Sequence, residues 1–262
     1  MMTRHLLLVA FLAVRVGQAQ TARSVFDVVS VKPSAPDRFN SFAIRTAPGG
    51  RVQLLGAPLR MILMEAYDIR AFQIVGGPDW IRNDRWDIEA KADGVEGRLS
   101  RTDRNTMLQS LIADRFHLEA HQESRRAQIY ALEVSKGGPK LVEHTGTDQE
   151  FRPGPGGTLR VKKGGTAALA AYLSRQLARE VLDKTNLKRE YDYTLEWTPE
   201  PGEGGPESIG QAPTTLLGAP TPPENGPTIF TALQVQLGLR LVSRKGPVRV
   251  LVVDSVAKPS PN

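Results

Sequence analysis

The chain of 262 residues contains no cysteine. That absence excludes disulfides, a thiol nucleophile, a zinc site built on cysteine and a lipid anchor through a lipobox cysteine. Aromatic residues are scarce, at 6% of the chain. No segment reaches the roughly 18 consecutive apolar residues that a spanning helix needs. There is no Gly-x-Ser-x-Gly elbow, so the usual serine-hydrolase arrangement is missing. There is also no Gly-rich phosphate loop, because Gly49-Gly50 and Gly164-Gly165 read as turns beside strands. Charge of one sign is in short supply too. Lys and Arg number 34 against 28 Asp and Glu, for a net +6. Basic residues alternate with acids, as in Arg101-Thr-Asp-Arg104 and Asp183-Lys184, which describes solvated faces, with a basic docking patch as the alternative. No basic-aromatic module points to nucleic acid.

The first residues follow the order of a secretory signal. Arg4 is the early positive charge, Leu6 to Val14 is an unbroken apolar run, and Gly17-Gln-Ala19 supplies small residues for a cut after Ala19. Nine apolar residues make a helix of about 14 Å, far short of a bilayer core of about 30 Å. Residues 1–19 are therefore expected to be a signal peptide. The remainder, without a membrane span, is expected to be periplasmic or secreted. It is long enough for one large domain or two smaller ones.

Four segments share one grammar of helix, short strand, turn and longer strand. In the fourth, Ile229, Leu233 and Leu237 recur on one helical face, Gly238 ends the helix, and Leu239-Arg-Leu241 alternates as a strand. Lys245-Gly-Pro247 is predicted to turn, and Val248 to Val253 to form a buried strand. In the third, the helical face is Leu169, Leu173 and Leu177, and Tyr191, Tyr193, Leu195 and Trp197 alternate along a strand. The second carries Leu108, Leu111 and Ile112, then Phe116-His-Leu118, a polar turn at Glu123 to Arg126, and Ile129 to Val134. The first carries Leu59, Ile62, Leu63 and Ala66, Phe72-Gln-Ile74, a Gly76-Gly-Pro78 turn, and Trp86 to Ala90.

With strands at Arg51 to Leu55 and Thr158 to Lys162, each half reads β-α-β-β-α-β-β. The expected fold class is α+β, in tandem units whose helices pack on small mixed sheets. The expected domains are 25–136 and 158–258, joined by a polar linker at 137–157 that contains Pro153-Gly-Pro-Gly-Gly157. A second interruption at 199–227 holds 8 of the 19 prolines and is expected to be disordered.

Two resemblances rest on these segments. Leu169 to Val181, Tyr191 to Trp197 and Ile229 to Val253, with the strand Gly238-Leu-Arg-Leu241, resemble the small periplasmic N-terminal domain of secretins and TonB-dependent receptors. From Phe26-Asp-Val-Val-Ser-Val-Lys-Pro33 to Val253-Asp254 the chain resembles a large family of exported proteins of unknown function expanded in soil bacteria. Gly76-Gly-Pro-Asp-Trp80, Asp114-Arg-Phe-His-Leu118, Asp183-Lys-Thr-Asn-Leu187 and Leu237-Gly-Leu239 carry that likeness. A similar region is attached to membrane-embedded metallopeptidase sensors of the beta-lactam-response type. The resemblance implies an extracytoplasmic sensing or binding role and no catalytic residue.

Each candidate site has a plainer explanation. His117 and His121 lie four apart, but on a strand they would sit about 13 Å apart and cannot share one zinc ion. His144 stands alone in the expected linker. Asp183-Lys-Thr185 resembles a phosphorylated-aspartate motif, yet suits a tight turn between strands. Asp84, Asp87 and Glu89 could pair as carboxylates, although Asp87 and Glu89 flank Ile88 on the polar face of a strand. Trp80 and Trp86 are expected in the core.

No catalytic, cofactor-binding or metal-ligating residue is therefore assigned, and no enzyme activity or cofactor is expected. The expected function is an exported, non-enzymatic binding or protein-interaction module. Its partner is expected to be another envelope protein, bound through exposed sheet edges. The alternatives are a ligand-sensing domain linked to a membrane metallopeptidase, or an unrecognised cell-wall hydrolase.

Overall fold

The computed structural model describes residues 25–35, 42–199 and 226–260. The expected signal peptide and residues 200–225 of the proline-rich interruption lie outside the described residues.

Among the described residues, three four-stranded sheets and five helices make an α+β fold. The first sheet holds β1 (Val28–Pro33), β2 (Ala43–Ala47), β3 (Arg51–Pro58) and β5 (Arg85–Lys91), all antiparallel, in the order β1-β5-β3-β2. Helix α1 (Leu59–Tyr67) follows β3 and buries Leu59, Ile62, Leu63 and Ala66, the spacing of one helical face. Asp68 ends it in left-handed geometry at φ 50°. A single turn, α2 (Trp80–Asn83), precedes β5, and helix α3 (Arg101–Arg115) follows it. Ser100 caps α3 by accepting the Asp103 N–H at 3.1 Å, and α3 buries Leu108, Leu111 and Ile112 against α1 and the sheet.

The second half follows a parallel order. A sheet ordered β7-β11-β9-β8 contains β7 (Val142–Glu143), β8 (Glu150–Gly154), β9 (Thr158–Gly164) and β11 (Tyr191–Glu196). Helix α4 (Thr166–Gln176) buries Leu169 and Leu173. Helix α5 (Ile229–Ala232) runs on as a π-type turn through Leu233–Leu237, and Gly238 closes it at φ 65°. Ile229, Leu233 and Leu237 are buried as the spacing predicts, over the inward Tyr191, Tyr193 and Leu195 of β11.

The third sheet joins the halves. Its centre is one antiparallel pair of long strands, β6 (Glu119–Val134) and β12 (Leu239–Ser255). On its flanks β10 (Val181–Asp183) runs parallel to Tyr130–Leu132 of β6, and β4 (Ile74–Gly76) runs parallel to Leu251–Val253 of β12. Each half thus lends its short strand to the long strand of the other.

Four expectations change here. Phe116-His-Leu118 is not a strand: Phe116 closes α3, and His117 sits at φ 47° before β6 begins. The turn expected at Glu123 to Arg126 is continuous strand, because those residues pair with Val248, Arg249, Val250 and Pro247. Lys245-Gly-Pro247 likewise does not turn, so each expected final β-β pair is a single strand. The segment 137–157, expected as a linker, holds β7 and β8 of the second-half sheet.

Candidate functional site at the waist of the long strand pair

Most of the strand pair is covered. At one end Leu251 and Val253 join the core of the first half, and at the other Leu132 and Leu239 join the core of the second. Between them lies a waist, formed by Gln122 to Gln128 of β6 and Ser243 to Arg249 of β12. One face of the waist is closed by a small apolar cluster of Ile129, Val248 and Val250, with Phe72, Val75 and Leu182 packed against it. Gly246 belongs to this face. A Cβ there would collide with the Ile129 side chain, so glycine serves close packing here and not a turn.

The backbone direction follows from three hydrogen bonds. Tyr130 N–H donates outward to Glu180 O at 2.8 Å, and Leu132 O accepts outward from Lys184 N–H at 2.9 Å. Arg249 O accepts outward from Gln73 Nε2 at 2.9 Å. Strand geometry has period two, so Gln122, Ser124, Arg126 and Gln128 also turn their backbone groups away from β12. Among the described strands, none pairs with β6 along that stretch. The β12 edge differs, because its outward series includes Pro247, which has no N–H to offer. The β6 edge is therefore the open one, about 20 Å long at ~3.3 Å per residue.

The candidates from the sequence do not assemble into a reactive cluster. His121 is on β6 with its Nδ1 2.8 Å from Asp254 Oδ2. That contact, together with the charge of Asp254, raises the imidazole pKa above its ordinary value. His117 lies before the strand in left-handed geometry and is not part of this pairing. Asp87 corrects the reading of a solvated carboxylate. It is buried and accepts from Ser34 Oγ at 2.7 Å and from Gly56 N–H at 2.9 Å, across a bulge between Leu54 and Ala57. Glu89 is exposed.

Asp183 does form a turn. Its Oδ1 accepts the Thr185 N–H at 2.9 Å and the Thr185 hydroxyl at 2.8 Å, and its Oδ2 accepts Thr166 Oγ1 at 2.7 Å. Burial alone would raise this carboxyl, but the bonds from Thr185 and Thr166 outweigh it and hold it below the ordinary range. Trp86 is buried, and Trp80 packs partly buried against it and Phe116, with ring centroids 6.5 Å from each. His144, isolated in sequence, is pinned by tertiary contacts: its Nδ1 lies 2.7 Å from Asp192 Oδ1, which also accepts the Lys163 N–H at 3.0 Å. No local pattern could have shown that pairing, since 48 residues separate the two.

One further feature is concave. A groove of about 580 Å³ opens between β1 and α3, lined chiefly by Val25, Phe26, Val29, Leu111 and Ala113, with Asp114 and Arg115 among its polar lining. No helix among the described residues is long and apolar enough to cross a membrane.

The fold and this waist define an α+β protein whose two main apolar cores meet at one central strand pair. The chain matches, over residues 60–256, the family described as "Protein of unknown function (DUF3738)", and it belongs to that family. Both long strands lie inside the matched region. No curated protein and no solved structure matches the chain.

Proposed function

We propose that the protein is an exported, non-enzymatic binding and protein-interaction module of the cell envelope, with the outer edge of β6 as its docking strand. The observation that carries this reading is the open backbone from Gln122 to Gln128, which has no neighbouring strand among the described residues. An extended segment of another envelope protein would add there as a further strand, its main chain supplying affinity. The signal-like order of residues 1–19 supports export.

The test is site-specific photocrosslinking in intact cells, with the reactive group at Ser124 on the edge and at Phe151, exposed on β8, as control. A discrete adduct from Ser124 alone is expected. Ser124→Pro in the partner-capture assay should abolish binding, because it removes an outward N–H without disturbing the β6–β12 ladder. Equal crosslinking from both sites, or full binding by Ser124→Pro, would refute the edge reading.

The groove between β1 and α3 favours a second reading, an envelope ligand-sensing domain linked to a membrane metallopeptidase. Its lining is mostly apolar and its form concave, as small-molecule sites are. A small molecule that protects Val29 and Leu111 in NMR and leaves Ser124 unshifted would favour this second reading.

A further inference from the structure

We infer that the segment docking at the β6 edge is acidic. The inference rests on the edge reading above and adds the chemistry of the partner. The open face of the waist carries Arg126, Lys245 and Arg249, all exposed. No carboxylate stands on that face among Gln122, Ser124, Arg126 and Gln128 of β6 or Lys245, Pro247 and Arg249 of β12, since Glu123 lies on the opposite face with Arg125. Basic side chains off that face are commonly matched. Arg104 meets Glu65, Arg125 meets Glu123, Arg240 and Arg244 share Glu133, and Lys258 lies 2.6 Å from Asp84. Among the described residues no acid lies within ion-pair distance of Arg126, Lys245 or Arg249.

The register explains why these three act together. Arg126 faces Pro247, and Lys245 and Arg249 stand two residues to either side of Pro247 on the same face. Diagonal neighbours in an antiparallel pair lie about 7–8 Å apart. Arg126 stands at that spacing from both Lys245 and Arg249, which are about 13 Å from each other along β12, and a carboxylate beside Arg126 relieves both repulsions at once. Because the waist is solvated, the attraction is screened over about 8–10 Å at ordinary salt. It therefore selects the partner and speeds its arrival more than it holds it. A strand laid along β6 places every second side chain over this face, within reach of Arg126 and of the long Lys245 and Arg249 side chains of the next strand. The partner segment should then alternate Glu or Asp with apolar or small residues. A protein segment is favoured over other polyanions because the waist offers outward main-chain groups beside the cations.

The probe is a labelled eight-residue peptide alternating Glu and Val, compared with its Gln–Val and Lys–Val counterparts by fluorescence anisotropy on the purified protein. The Glu peptide should bind at least tenfold tighter than the Gln peptide in 50 mM salt, and should weaken steeply by 500 mM. The double variant Arg126→Glu/Lys245→Glu should lose at least tenfold affinity with an unchanged melting curve, and Ser124→Pro should lose binding altogether. Equal binding of the Glu and Gln peptides, blocked by Ser124→Pro, overturns the acidic assignment and leaves the edge reading standing. Glu-peptide binding that survives Ser124→Pro overturns the edge reading. Binding that appears only when residues 203–222 are deleted assigns the basic face to that segment of the chain itself, which holds Glu203 and Glu207, and overturns the proposal. No binding by any peptide also overturns it.

Discussion

Leu132 lies opposite Leu241 in the central strand pair and is fully buried in the core of the second half, although it belongs to the chain of the first. Leu132 O also accepts the Lys184 N–H at 2.9 Å, so β10 is held by the same residue. An isolated fragment of residues 158–258 lacks β6 and leaves both β10 and β12 without their partner. Its urea melt is expected to be broad and uncooperative. A sharp transition in the fragment would show that β6 is dispensable. In the intact protein Leu132→Ala should cost about 2–5 kcal/mol.

Leu233 and His117 test the same kind of question at opposite ends of the burial scale. Leu233 is fully buried between Ile229 and Leu237. Leu233→Ala should leave a cavity costing about 2–5 kcal/mol in chemical denaturation. His117→Ala should stay near wild type, and His117→Val should destabilise by about 1–2 kcal/mol, since a β-branched residue resists the left-handed geometry seen at φ 47°. A His117→Val protein as stable as wild type would argue against that backbone.

His121 should titrate above its usual range because Asp254 bonds its Nδ1 and stabilises the imidazolium. The sign follows directly. A folded-state pKa above the unfolded value of about 6.5 gives stabilisation that is full below that pH and is lost as pH rises through the folded pKa. NMR titration should show the raised value, and Asp254→Asn should return it toward the ordinary one. A His121 pKa indifferent to Asp254→Asn would remove the contact from solution.

Gly238 closes the π-type turn at φ 65°, and a Cβ there would run into the Gly138 carbonyl oxygen. Gly238→Ala combines a left-handed cost of about 1–2 kcal/mol with that collision. It should lower the melting temperature more than Gly94→Ala, where φ is also positive but no atom lies within 4 Å. Equal effects would mean that the 137–140 segment moves aside freely.

Protein recovered from the envelope should begin at or within a residue or two of Gln20, as the Gly17-Gln-Ala19 end of the apolar run requires. N-terminal sequencing that returns Met1 would refute the export reading.

Helical faces were legible because their signal is local. Leu59, Ile62, Leu63 and Ala66, or Ile229, Leu233 and Leu237, repeat at the period of one helix and are buried as that period predicts. The alternation of Tyr191, Tyr193, Leu195 and Trp197 was legible for the same reason. The waist was not. Glu123 to Arg126 and Lys245-Gly-Pro247 carry turn-like residues, and only the pairing of β6 with β12 across more than a hundred positions of sequence makes them strand. His144 was missed for a similar reason, its partner Asp192 being a distant residue on β11.

By itself the sequence determined which residues are apolar, at what period, and hence the α+β class and most of the core. It also excluded every chemistry that needs cysteine. The tertiary structure alone decided which strand lies beside which. Strand pairing is a long-range choice, set by which cores Leu132, Leu239, Leu251 and Val253 must fill. It is that choice which leaves the β6 edge open and gathers Arg126, Lys245 and Arg249 on one face.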